Sequence, residues 1–204
     1  MNHPGIYLAS QSPRRRELLH QIHVRFEVLL FRQGARADAD VSEEVLSGES
    51  PSDYVVRVAR AKAAGGAKRL DWRRLPAKPV LAADTTIDLD GEIIGKPDNA
   101  LHAAAILARL SGRTHRVLTA VAVAAGPQVD LRLSVSEVSF RSLGEGEIRR
   151  YVDTGEAQDK AGAYAIQGRA GMFVERIGGS HSGIVGLPLF ETAELLAAAG
   201  YPLL

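Results

Sequence analysis

Leu8-Ala9-Ser10-Gln11-Ser12-Pro13-Arg14-Arg15-Arg16-Glu17-Leu18-Leu19 is the stretch whose reading decides the fold. The apolar run from Ile6 to Ala9 reads as a strand that passes through Ser10, Gln11 and Ser12 into a helix. Ser12 suits the N-cap, where a hydroxyl takes an orphan amide hydrogen of the first turn. Pro13 suits the first helical position, where its missing N–H costs nothing. Leu18, Leu19 and Ile22 give the helix an apolar stripe. Arg14, Arg15 and Arg16 therefore crowd the first turn, the end at which the helix dipole is already positive. Free amides and guanidinium groups gathered at one point suit a polyanion, most simply a phosphate chain. On this stretch alone, a solvated basic turn on an ordinary amphipathic helix accounts for the arginines equally well. The dipole penalty is only ~0.3–1 kcal/mol.

The rest of the composition narrows the partners. The chain has 204 residues, enough for one domain with a sizeable core, and the expectation is a single domain over residues 1–204. Its net charge of +1 supplies no bulk field to recruit nucleic acid or an acidic membrane, so any anion site must be a local cluster. Cysteine is absent, which excludes disulfides and thiolate metal ligands and suits a reducing compartment. No apolar signal core or run of membrane-spanning length is found, so a cytoplasmic protein is expected.

Outward from the first helix, Val24–Leu30 reads as a second strand and Arg32–Glu49 as a long acidic surface loop. Ser50 and Pro51 then start a helix, with Gly65-Gly66 expected to loosen its end. Pro79–Ala83 reads as a buried strand continued by Thr86–Leu89, and Asp90-Gly91 as a hairpin turn into Glu92–Ile94. An alanine-rich helix begins at Asp98 or Asn99 and ends at Ser111-Gly112. His115–Ala124 and Val129–Phe140 read as long strands, Glu145–Val152 as a helix and Met172–Ile177 as a strand. A glycine-rich segment, Gly178–Gly186, and a final helix, Pro188–Ala199, complete the chain. Strands and helices mix without strict alternation, so the fold class is α/β, bordering on α+β, with a mixed sheet.

Asp84 is the most informative carboxylate. It follows Val80-Leu81-Ala82-Ala83 and is expected at the end of a buried strand, where an aspartate can ligate Mg²⁺ or orient a water. A turn-capping aspartate would look the same. Lys96 lies in Gly95-Lys96-Pro97, and Lys62 on the helix after the acidic loop. Each alone reads as a solvated charge; together with Arg14 and Arg15 they would form a phosphate cage. The small residues of Asp159–Gly168 permit close backbone approach, and Gln167 carries both donor and acceptors suited to a base edge. His181 between Ser180 and Ser182 lacks the elbow motif and third partner of a serine hydrolase. The six histidines show no metal-ligand spacing, and no Walker or dinucleotide fingerprint is present.

Three blocks, taken together, resemble the Maf family of nucleoside triphosphate pyrophosphatases, also called septum-formation inhibitor proteins. They are Leu8–Leu19; Ala83-Asp84-Thr85-Thr86 with Gly95-Lys96-Pro97; and Asp159–Gly168 with Val185-Gly186-Leu187-Pro188-Leu189. The resemblance implies a fold like inosine triphosphate pyrophosphatase, a twisted mixed sheet with flanking helices in two lobes around a central cleft. It implies hydrolysis of a nucleoside triphosphate between the α and β phosphates with a divalent cation, Mg²⁺ or Mn²⁺. Asp84 falls on the family's proton acceptor, and Arg14, Thr85 and Gln167 on positions linked to base choice. Ser10, Arg14, Arg15, Lys62 and Lys96 would bind the phosphates, and Glu43, with Glu44 as the fallback, would join Asp84 at the metal. The tract around Gln167 is similar to the branch acting on dTTP and UTP. The sister branch acting on 7-methyl-GTP typically has Gln at Thr85 and Glu at Gln167. Other readings are a pyrophosphatase for a modified purine nucleotide and a non-catalytic nucleotide-binding regulator of division. A homodimer is a family-level expectation.

Overall fold

A strand covered on both faces must be apolar at every position, and Ile6, Tyr7 and Leu8 are all buried. They form β1 (Ile6–Leu8), which lies between two parallel neighbours, β2 (Phe26–Val28) and β3 (Val80–Leu89). The computed structural model describes residues 5–30 and 41–203. β4 (Glu92–Ile94) returns antiparallel on β3 through the Asp90-Gly91 turn, where both residues take positive φ. The sheet then runs antiparallel through β5 (Thr114–Ala125), β6 (Gln128–Phe140) and β7 (Val174–Gly178). The seven strands lie in the order β2-β1-β3-β5-β6-β7, with β4 beside β3. The helices are α1 (Pro13–Gln21), α2 (Pro51–Arg73), α3 (Ala100–Leu110), α4 (Glu145–Val152), α5 (His181–Val185) and α6 (Leu189–Ala198).

Alternation along β3 distributes the core. Val80 and Ala82 pack with Val55, Ala59 and Ala63 of α2, whereas Leu81 and Ala83 pack with Leu18 and Leu19 of α1 and Leu195 and Leu196 of α6. Farther along, Ile87 and Leu89 join a third cluster with Leu107 and Leu110 of α3 and Ile148 and Tyr151 of α4. The apolar interior therefore divides along β3, and Asp84 and Thr85 stand at that division. This is the mixed sheet with flanking helices that the sequence leads one to expect.

Several local expectations differ from what forms. Gly65-Gly66 does not loosen α2, which continues to Arg73. A Cβ on Gly66 would lie 2.7 Å from Val80 Cγ1, so the glycine lets helix and strand approach closely. Asp84 is mid-strand, because β5 pairs with β3 from Val80 as far as Asp88. The second strand shrinks to Phe26–Val28, and the seventh starts at Val174, because Arg169–Phe173 forms a 3₁₀ turn. The glycine-rich segment contains α5, capped by the Ser180 hydroxyl accepting from the Gly183 amide. Residues 32–40 of the acidic loop lie outside the described residues.

Candidate active site

The chain leaves β1 through α1 to β2 on one side and returns through α2 to β3 on the other. The two helices lie on opposite faces, so the carboxyl end of β1 is a switch point of the sheet, where α/β folds bind ligands. A gap opens there. On one edge of β3, pairing with β1 reaches Leu81 and pairing with β4 begins at Ile87. Asp84 sits in the unpaired interval.

Beyond β1, Ser10 and Arg15 form the rim. The Ser12 amide donates to Ser10 Oγ at 3.2 Å, and the Ser12 side chain makes no capping bond, contrary to the expected N-cap. The first-turn amides of α1 are thus not met by a Ser12 hydroxyl. The Arg15 guanidinium is oriented by three acceptors: Nη1 donates to Ser10 Oγ at 3.0 Å, Nε to the Gly186 carbonyl at 2.8 Å and Nη2 to Thr85 Oγ1 at 3.3 Å. Gly186 presents that carbonyl with φ +125°, a conformation that disfavours a side chain. Burial lowers the Arg15 pKa, partly offset by the charge of Asp84. Arginine remains protonated at any physiological pH.

Opposite stands a charge cluster. Lys62 Nζ lies 2.8 Å from Asp84 Oδ1 and 2.9 Å from Glu43 Oε1. The Lys62 and Asp84 side chains are only 14% and 11% exposed, so this ion pair is poorly screened, whereas Glu43 is 53% exposed. Burial raises the Glu43 carboxyl, but the charge and hydrogen bond of Lys62, then Lys96 and Arg15, bring it below its ordinary value. Glu43, and not Glu44, meets Lys62. Two carboxylates, Asp84 and Glu43, converge on the Lys62 ammonium. No third histidine or carboxylate joins them among the described residues. Two carboxylates completed by water and phosphate oxygens suit Mg²⁺ or Mn²⁺, so the donor set fits a divalent cation.

The third block braces the second. The Gly162 amide donates to the Gly95 carbonyl at 3.0 Å, tying Asp159–Gly168 to the loop that carries exposed Lys96. Asp159, Gly162 and Ala163 all have positive φ, and a Cβ on Gly162 would lie 2.1 Å from Ile87 Cδ1. Burial, then the charge of Arg14, lowers the Lys160 ammonium. Burial also lowers the Arg14 pKa, opposed by Glu17. Gln167 is exposed in the turn that follows, and among the described residues no hydrogen bond joins it to the Asp84 cluster.

A family profile described as Maf-like protein matches residues 5–199. The chain belongs to the Maf family. A Maf relative from Aromatoleum aromaticum, named dTTP/UTP pyrophosphatase, is 62% identical over 199 residues, covering 97% of each chain. Another of that name, from Dechloromonas aromatica, is 57% identical over 96% of this chain and 98% of its own. A solved structure, described as the structure of the Staphylococcus aureus Ham1 protein, is similar with a TM-score of 0.45 and 17% identity, over 66% of this chain and 71% of that one.

Some residues of this Maf site carry no sequence motif. Arg57 Nη1 and Nη2 donate to the carbonyls of Ser42 and Glu44 at 3.1 and 2.9 Å, and Tyr54 Oη donates to the carbonyl of Glu43 at 3.1 Å. Arg57 also holds Glu49 through Nε at 2.6 Å. Three consecutive carbonyls around Glu43 are thereby fixed to α2. Burial and the charges of Asp84 and Glu43 push the Tyr54 hydroxyl up to about 12, so it stays a donor. Helical spacing of Tyr54 with Val58 and Lys62 was the available signal, and it reads equally well as a packing stripe. Thr119, deep in β5, was likewise indistinguishable from a strand residue. His181 is exposed, and the Ser182 hydroxyl accepts from the Leu189 amide at 3.1 Å, a structural use.

Proposed function

We propose that this chain hydrolyses dTTP and UTP to the nucleoside monophosphate and pyrophosphate. The observation that carries this reading is the convergence of Asp84, Glu43 and Lys62 beside Arg15 at the carboxyl end of β1. The nucleotides are those named for the Maf relatives. Cleaving the α–β bond requires an oriented water, neutralised phosphates and a held leaving group. Asp84 accepts the proton of the attacking water or orients it. An aspartate has an ordinary pKa near ~4 and is a weak base at neutral pH, so its placement counts for more than its basicity. A divalent cation, Mg²⁺ or Mn²⁺, held by Asp84 and Glu43 would acidify bound water and neutralise phosphate charge. Ser10, Arg14, Arg15, Lys62 and Lys96 bind the phosphate chain, and positive charge fixed there stabilises the transition state. Gln167, with Arg14, sets base choice through hydrogen bonds that a mismatched base leaves unmade. Thr85, the third position linked to base choice, is engaged by Arg15 and Thr119. The cysteine-free chain suits work in the cytoplasm, and a homodimer is the assembly proposed.

The test is pyrophosphate release over canonical and methylated nucleoside triphosphates with Mg²⁺ or Mn²⁺. Selective release from dTTP and UTP is expected, with Asp84→Asn slower by about 10²–10⁴-fold, the usual worth of a positioned proton acceptor. Wild-type turnover in a folded Asp84→Asn variant refutes the role of Asp84. Selective release from a methylated purine nucleotide refutes the assigned substrates. Binding without release points to a regulator.

A further inference from the structure

The direction of one buried hydrogen-bond chain follows from valence alone. Arg15 Nη2 can only donate, and it reaches Thr85 Oγ1 at 3.3 Å. The Gly183 carbonyl can only accept, and it takes the Thr119 hydroxyl at 2.8 Å. Each threonine hydroxyl carries a single proton. The proton of Thr119 is spent on Gly183, so the 2.9 Å contact between the two hydroxyls is donated by Thr85. The chain therefore runs from Arg15 to Thr85 to Thr119 to Gly183. Thr85 and Thr119 are opposite partners in the β3–β5 register, which fixes their spacing through two paired backbones. Thr85 has no proton left to offer a nucleotide base.

Arg15 is the group this chain serves. Ser10, Gly186 and Thr85 take three of its five N–H groups. One N–H remains on each terminal nitrogen, the arrangement that can meet a pair of phosphate oxygens. Gly183 and Gly186 both belong to the α5 region, so Arg15 is joined to that segment directly at Gly186 and again through the two threonines at Gly183.

We propose that Thr119 is a positioning residue. It directs the Thr85 hydroxyl so that a lone pair faces Arg15, and Arg15 is thereby oriented toward the phosphates. Thr119 is 1% exposed and acts at a remove from the nucleotide. This inference rests on the triphosphate reading of the site.

The experiment compares Thr119→Val, Thr119→Ser, Thr85→Val and the double variant Thr85→Val/Thr119→Val. Pyrophosphate release is read over dTTP, UTP, ATP and GTP, and inorganic tripolyphosphate binding by calorimetry. Thr119→Val is expected to lower kcat/KM roughly tenfold or more, because the Thr85 hydroxyl that accepts from charged Arg15 loses the partner that fixes its direction. Thr119→Ser restores it, the double variant loses no more than Thr85→Val, and tripolyphosphate binding weakens in parallel. Unchanged kinetics in Thr119→Val, unchanged tripolyphosphate binding in a Thr119→Val protein that turns over slowly, or multiplying losses in the double variant would overturn the proposal. If Thr119→Val does not fold, Thr119→Ala carries the same expectation. A wild-type protein that releases no pyrophosphate refutes the pyrophosphatase reading, and tripolyphosphate binding by the variants still decides whether the threonines position Arg15.

Discussion

His115 links acid stability to the tract that carries Gln167. Its imidazole is 2% exposed, with Nε2 sharing a 2.9 Å hydrogen bond with Tyr164 Oη. Phe140 and Tyr164 stand edge-on at 5.1 and 5.5 Å, and buried Nδ1 has no hydrogen-bond partner. Protonation would place a charge in this apolar setting, so burial lowers the pKa from 6.5 to about 4. In the unfolded chain the same ring titrates near ~6.5. Between those values the unfolded state binds a proton that the folded state refuses, and stability therefore rises with pH across the window. It falls as pH drops from 6.5 toward 4 and levels off below. At about 1.4 kcal/mol per pH unit, the window is worth roughly 3 kcal/mol. His115→Gln keeps an amide able to bond Tyr164 but removes the titrating proton. Urea unfolding of both proteins from about pH 7.5 to about pH 4 gives the comparison, in which carboxylate contributions cancel. Wild type is expected to lose about 3 kcal/mol more than the variant over that range. A difference that does not change with pH, or a folded-state imidazole that titrates near its unfolded value by NMR, refutes the reasoning.

Gly66→Ala should destabilise by about 1–3 kcal/mol through overpacking against Val80, 2.7 Å from the added carbon, read as a lower urea midpoint; an unshifted midpoint contradicts the close approach of α2 to β3. Arg57→Ala frees the carbonyls of Ser42 and Glu44, so kcat/KM should fall about tenfold while Arg57→Lys recovers only part, because lysine lacks the planar fork. Full activity in Arg57→Ala would show that Glu43 is placed without it.

Signals that act within a few residues were legible. Pro51 behind Ser50, Asn99 and Asp90-Gly91 each announce an element boundary, and each forms: Ser50 accepts from the Asp53 amide at 3.1 Å and Asn99 from the His102 amide at 2.9 Å. Ser12 carries the same cap signature, yet its side chain makes no capping bond while its amide donates to Ser10 Oγ. Asp84 after an apolar run suggested a strand end with Thr86–Leu89 beyond it, yet one strand runs through Asp84 because β5 pairs with it from Val80 as far as Asp88. α5 was hidden among glycines that read as loop.

By itself the sequence determined the family, the class of fold and the chemical types available: a basic helix start, a carboxylate on an apolar strand, and a small-residue tract. Composition and short-range spacing carry that information. Only the tertiary structure decided which of these meet. Arg15 reaches Gly186, 171 residues away, and Lys62 reaches both Asp84 and Glu43. Thr119 enters the site through its register with Thr85. The physical reason is that side-chain periodicity is local, whereas strand order and helix packing fix which distant residues share a site.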